Sequence, residues 1–187
     1  SLREIPPSAG WHYEDGEVYY LGDPDEGFAR TGWQFLEYSE RNQPAEGGIS
    51  RKLPEGDARG RWFYFQKTGK AKRSPEGSYE AETIDGRRYY FDANGMMCTG
   101  WLAVRDQVEP GDAVGISRFV YLGGRDEGVV RRQWMELTGQ PWNSDPRSAL
   151  TVSSGEYEGP EEGVTCRYYF KSDGTPAFLP KDAASLK

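Results

Sequence analysis

Aromatic rings, not a poised nucleophile, are the chemically capable groups of this 187-residue chain, which carries 6 Trp, 12 Tyr and 8 Phe but 1 His. Flat Trp and Tyr faces stack on pyranose rings, while Tyr hydroxyls, Arg and carboxylates hydrogen-bond sugar hydroxyls. Covalent chemistry has much less to work with. His12 stands beside Trp11 and Tyr13 with no accompanying Cys or Ser signature of an activated nucleophile. One His and two distant Cys make no zinc site, so neither a metal nor a cofactor is expected. The 30 acidic residues could supply a glycosidase pair, which needs two carboxyls about 5 to 9.5 Å apart across a cleft. Most of them, however, fall in turns and loops with no obvious deep pocket. The chain is therefore read as a non-catalytic binding protein without catalytic residues.

The rings recur in blocks: VYYL ending at Leu21, WFYF at Phe65, RYYF at Phe91, FVYL at Leu122 and RYYF at Phe170. Repetition on this scale predicts a solenoid, because a unit too small to bury its own core must stack on copies of itself. At period two, Tyr19 and Leu21, Phe63 and Phe65, Tyr89 and Phe91, Val120 and Leu122, and Tyr168 and Phe170 share one face, expected to be buried. The opposite face holds Tyr20, Tyr64, Tyr90, Tyr121 and Tyr169, preceded by a variable column of Val18, Trp62, Arg88, Phe119 and Arg167 where ligand chemistry could differ between units. Asp15-Gly16 and Asp85-Gly86 precede their strands and suit two-residue hairpin turns; Thr68-Gly69, Asn94-Gly95 and Asp173-Gly174 follow theirs. The predicted fold is all-β, a β-hairpin solenoid of about five tandem repeats with long inserted arms or loops.

Composition agrees. With 36% hydrophobic residues, 14% of the chain aromatic, 24 Gly and 12 Pro, the core must be built largely from rings, and regular helix is nearly excluded. A net charge of −7 disfavours a nucleic-acid partner, which requires a concentrated basic surface. No apolar run approaches the roughly 18 residues needed for a membrane span. Cys98 and Cys166 fall in the third and fifth blocks, too far apart in a stack for a bridge, and are read as small core thiols. Residues 1–9 read as linker, 10–178 as the repeat solenoid with cores at 10–33, 61–72, 82–101, 118–134 and 166–178, and 179–187 as tail. Stretches 38–60, 107–115 and 139–163 look like extended arms or loops. The acidic runs LGDPDEG (21–27) and LGGRDEG (122–128) lack the ligand spacing of a calcium loop.

The arrangement GW-x-x-x-DG-x-x-YYF-x-x-x-G-x-x-x-TGW, best displayed by ETIDGRRYYFDANGMMCTGW (82–101), resembles the cell-wall-binding repeat of the choline-binding and glucan-binding proteins of Gram-positive bacteria. GWHYEDGEVYYLGDPDEGFARTGW (10–33) is the next best copy. The resemblance implies a stack of β-hairpins outside the cell that anchors a partner domain to wall polymers. In the choline-binding members, rings of successive hairpins cage the quaternary ammonium of choline, each gaining about 0.5 to 2 kcal/mol. Two such groupings are expected here, Trp33 with Trp62 and Tyr90, and Trp101 with Phe119 and Tyr169. Arg88 and Arg167 put a positive charge where a cage wants a ring. The leading expectation is thus a non-catalytic, extracellular, wall-associated module that binds a cell-wall polysaccharide or teichoic-acid-type polymer through aromatic surfaces, with choline as the lesser ligand. The alternative is a structural spacer, or a module that binds a protein partner or forms a homo-oligomer through an exposed edge strand.

Overall fold

The computed structural model describes residues 10–21, 29–37, 60–112, 116–124, 126–138 and 165–177. Within them lie eleven short strands: β1 (Gly10–Glu14), β2 (Glu17–Leu21), β3 (Gly32–Glu37), β4 (Gly60–Phe65), β5 (Ala81–Ile84), β6 (Arg87–Tyr90), β7 (Trp101–Ala103), β8 (Phe119–Tyr121), β9 (Gln133–Thr138), β10 (Thr165–Phe170) and β11 (Pro176–Ala177). The helical content of these residues is a single 3-10 turn, Ile116–Arg118. Strands pair as β1-β2, β3-β4, β5-β6 and β7-β8, and as a three-stranded sheet β11-β10-β9. The all-β hairpin class is as the sequence implies. The expected linker 1–9, tail 179–187, long arms 38–59 and 139–163, and most of the LGDPDEG run lie outside the described residues.

Local chemistry sets each hairpin. Asp15 and Gly16 adopt φ of 51° and 80°, and Asp85 and Gly86 adopt 50° and 77°. Both central residues are therefore left-handed, the turn whose twist matches antiparallel strands. After the second strand the chain turns again in three copies. The amide of Gly69 donates to the Gln66 carbonyl at 2.8 Å, Gly95 to Asp92 at 3.0 Å and Gly174 to Lys171 at 2.8 Å. A returning short segment then pairs with the strand just left, at Phe65↔Ala71, Phe91↔Met97 and Tyr169↔Ala177. Strand, tight turn, strand, turn and short strand is the predicted repeat.

The chain divides into two compact units, Ser1–Glu82 with Tyr90–Met97 and Thr83–Tyr89 with Cys98–Lys187. In the first, Val18, Leu36, Phe63, Phe65, Ala71 and Met96 form the core, with Trp11, Tyr13 and Tyr20 packed on it. In the second, Trp101, Ile116, Phe119, Tyr168 and Phe170 do so, supported by Ala103, Tyr121, Met135 and Leu137. Cys98 is a buried thiol, 2% exposed.

The two cores correct one expectation. On the Phe63/Phe65 side, Leu21, Phe63, Phe65, Tyr89, Phe91, Val120, Leu122, Tyr168 and Phe170 are buried as read, but Tyr19 is only half-buried. The opposite side is not simply outward: Val18 and Phe119 are 0% exposed and Tyr90 is 7% exposed. The cause is the mode of stacking: one hairpin's Trp/Tyr side rests on the next hairpin's Phe-x-Phe side. Trp11 meets Phe63 at 4.6 Å and Phe65 at 6.1 Å, Trp33 meets Phe91 at 5.8 Å, and Trp101 meets Tyr168 at 5.2 Å and Phe170 at 5.8 Å between ring centroids. A strand between two neighbours is covered on both faces, so alternation alone does not tell inside from outside.

Candidate ligand-binding site

The register places the same aromatic pair at the mouth of four hairpins. Trp11 lies opposite Tyr20, Trp33 opposite Tyr64, Trp101 opposite Tyr121 and Trp134 opposite Tyr169. In all four the ring centroids are 5.2 Å apart, at interplanar angles of 78°, 68°, 58° and 64°. Directly paired positions in an antiparallel ladder project to the same side, which fixes these contacts from backbone register alone. Each pair is a rigid corner, held by two χ angles per ring.

What stands diagonally across from the tryptophan decides what the corner can do. That position is Val18, Trp62, Phe119 or Arg167. Trp62 meets Trp33 edge to face at 6.3 Å and 82°, and Phe119 meets Trp101 at 6.5 Å and 84°. Two rings at right angles form two walls of a box. Only one of these boxes is open to solvent. Trp101 is 5% and Phe119 0% exposed, sealed beneath Tyr168 and Phe170, so this pair packs the core. Trp33 and Trp62 are both half-buried, and Phe35, 50% exposed, adds a further ring 5.2 Å from Trp62 at 61°.

The expected groupings are thus only partly assembled. Trp33 and Trp62 come together, and Trp101 and Phe119 come together. Tyr90 is buried, and Tyr169 is 39% exposed against Trp134, on the opposite face of β10 from the Tyr168 that touches Trp101. Sequence reasoning passed over Phe35 as a site residue, although its place two residues after Trp33 puts it on the same strand face. It also left out Trp134, which at 63% exposure is the most accessible large ring among the described residues.

Charges are arranged around the rings. Guanidinium groups lie over Tyr20 (Arg30, 5.4 Å), Phe119 (Arg118, 5.6 Å) and Trp134 (Arg167, 4.8 Å). Burial pushes the Tyr121 hydroxyl above its ordinary pKa, opposed by the nearby Arg131 charge. In the LGGRDEG run, the Glu127 carboxylate accepts from the Gly124 amide at 2.5 Å and pairs with Arg131 at 2.9 Å. Among the described residues no group of three or more His, Cys, Asp or Glu is placed to hold a metal ion. A polar cleft of about 430 Å³ in the first unit is lined by Tyr13, Glu17, Lys72, Arg73, Glu80 and Glu82, among others. Its Glu82 pairs with Lys72 at 2.9 Å and its Glu17 with Arg73 at 3.8 Å.

Residues 80–109 match the choline-binding repeat family model, over the same stretch that carries the best sequence copy of the motif. Over these residues the chain is similar to that repeat. Comparison with curated protein sequences gives no significant match. Among solved structures, CbpF in complex with ipratropium is 20% identical and superposes with a TM-score of 0.50, covering 91% of this chain and 40% of its own. CbpJ from Streptococcus pneumoniae TIGR4 is 21% identical, with 91% and 60% covered and a TM-score of 0.41. The pneumococcal cell-wall endolysin from phage Cp-1, complexed with choline, is 14% identical, with 96% and 40% covered and a TM-score of 0.41. The chain spans 40% of the length of the CbpF chain, and that likeness is one of fold.

Proposed function

We propose, from the repeat match at 80–109 and the open ring corner on β3 and β4, that the chain is a non-catalytic module that binds a cell-wall polymer. Its place is the outside of a Gram-positive cell, and the group it takes at Trp33, Trp62 and Phe35 is a quaternary ammonium such as choline. The observation that carries this reading is the 82° angle between Trp33 and Trp62 with both rings part-exposed. A rounded trialkylammonium touches two perpendicular ring faces at once, whereas a flat pyranose covers only one. Each face contributes about 0.5 to 2 kcal/mol by attraction between the ring quadrupole and the cation. This reverses the order of ligands expected from sequence at this corner.

Calorimetric titration with choline chloride tests the site. Saturable binding that is weakened about 5- to 30-fold in Trp33→Ala and in Trp62→Ala, with strand content by circular dichroism unchanged, supports the assignment. Binding of wild-type affinity in both variants removes it.

A further inference from the structure

Of the described hairpins, one lacks the tryptophan and has extra chain in front of it. Trp11 stands four residues before the Asp15-Gly16 turn, and the residue four before Asp85-Gly86 is Ala81, which is exposed. The segment that returns after β4 pairs at Ala71, and residues 72–80 separate it from Ala81. At the equivalent junctions only 30–32 precede Trp33 and only 98–100 precede Trp101. The inserted stretch folds back on itself: the Ser78 amide donates to the Pro75 carbonyl at 3.3 Å, and the Glu80 amide donates to the Ser74 hydroxyl at 3.2 Å. It forms one wall of the polar cleft of about 430 Å³ in the first unit.

Arg73 fixes the other walls. Its guanidinium donates to the Ala93 carbonyl at 3.1 Å and to the Gly16 carbonyl, which ties the turn after β6 and the β1–β2 turn to the insertion. The cleft is thus preformed, and its volume lies within the roughly 300 to 1,000 Å³ of small-molecule sites. Its lining differs from that of the ring corners. Among the described residues it has one ring, Tyr13, against the carboxylates of Glu17, Glu76, Glu80 and Glu82 and the cations Lys72 and Arg73. Lys72 is held by Glu82 and Arg73 faces Glu17, while Glu76 and Glu80 have no ion-pair partner among the described residues. Ser74 is 4% exposed, and its hydroxyl accepts from Glu80 but has no acceptor for its own proton among the described residues.

We infer that this cleft binds a peptide through a lysine side chain. A quaternary ammonium has no N–H and needs several ring faces, which one tyrosine does not supply. A primary ammonium has three N–H donors, which the Glu76 and Glu80 carboxylates accept. A carboxylate or phosphate ligand would meet an excess of negative charge. The buried Ser74 hydroxyl donates to an acceptor that an ammonium does not possess, and a backbone carbonyl of the peptide provides it. The site is separate from the choline corner in its residues, its place in the chain and its class of ligand.

The test is a two-dimensional NMR titration of the whole chain with acetyl-alanyl-lysyl-alanine amide. Physiological ionic strength screens long-range attraction to a chain of net charge −7. Saturable shifts are expected at the Ser74, Gly77 and Glu80 amide signals, and Glu76→Gln combined with Glu80→Gln should weaken the affinity by about tenfold or more. The same peptide acetylated on its lysine Nζ should leave these signals still. Dispersion of the amide spectrum reports that the double variant is folded, and choline titrated into the same sample reads the β3–β4 corner separately. Absence of saturable shifts in the wild type, equal affinity for the acetylated peptide, or wild-type affinity in the double variant would overturn the proposal. Butylamine bound as tightly as the peptide would overturn it too, by showing that the amine alone is the ligand.

Discussion

At the scale of the residue, an aromatic side chain captures ligand only where one of its faces is within reach of solvent. Trp33, Trp62 and Phe35 meet that condition, and Trp101 and Phe119 do not. Replacing Trp62 with Ala should therefore weaken choline binding by about 5- to 30-fold, the equivalent of losing one ring worth about 1 to 2 kcal/mol, with little change in melting temperature. Trp101→Ala should do the reverse. A buried Trp or Phe truncated to Ala costs about 3 to 5 kcal/mol, so thermal unfolding should report a large loss while the choline affinity of the surviving folded protein stays the same.

Asp173 offers a pH-dependent check on a single turn. Burial would raise its pKa, but hydrogen bonds from the Thr175 hydroxyl at 2.6 Å and amide at 2.9 Å, and from Arg105 at 2.6 Å, outweigh that and hold it at about 2. A carboxylate depressed in the folded state stabilises it above its unfolded pKa of about 3.9, and that contribution is lost as pH falls toward 2. Melting temperature should drop between pH 4 and pH 2 in the wild type, and drop less in Asp173→Asn. An equal fall in both would show that the Asp173 turn carries no acid sensitivity.

At the scale of the element, the glycines of the two turns differ in what surrounds them. Gly86 at φ 77° has open space where a Cβ would go, while at Gly174, φ 89°, a Cβ would stand 2.4 Å from the Val130 side chain. Gly86→Ala should cost only the left-handed backbone penalty, about 1 to 2 kcal/mol, and Gly174→Ala that penalty plus the clash. Chemical denaturation should rank Gly174→Ala as clearly the less stable; equal midpoints would contradict the tight docking of that turn.

The elements were legible for the same reasons. Asp-Gly pairs named the hairpin turns, and Phe63/Phe65 and Tyr168/Phe170 named the buried alternation. What one strand's pattern could not give was the covering of its other side, because Val18 and Phe119 are hidden by residues of a neighbouring hairpin far away in sequence. The Trp33–Trp62 pair was found because both belong to the repeat motif. Phe35 was missed because it lies just past the motif, and Tyr169 was paired with Trp101 because sequence gives no register between β9 and β10.

At the scale of the whole molecule, repetition supplies the same ring corner twice in each unit, and divergence of a single column sorts the copies. Valine and phenylalanine at that position complete the core, tryptophan leaves an aromatic box, and arginine seats its own cation. One scaffold can thereby pack and bind with the same residue types. The most direct test of this account is chromatography on a resin bearing immobilised choline, run with the wild type, Trp62→Ala and Trp134→Ala. Retention of the wild type and Trp134→Ala with release by free choline, and passage of folded Trp62→Ala, is the predicted result. A wild type that flows through, or a Trp62→Ala held as firmly as the wild type, would contradict it.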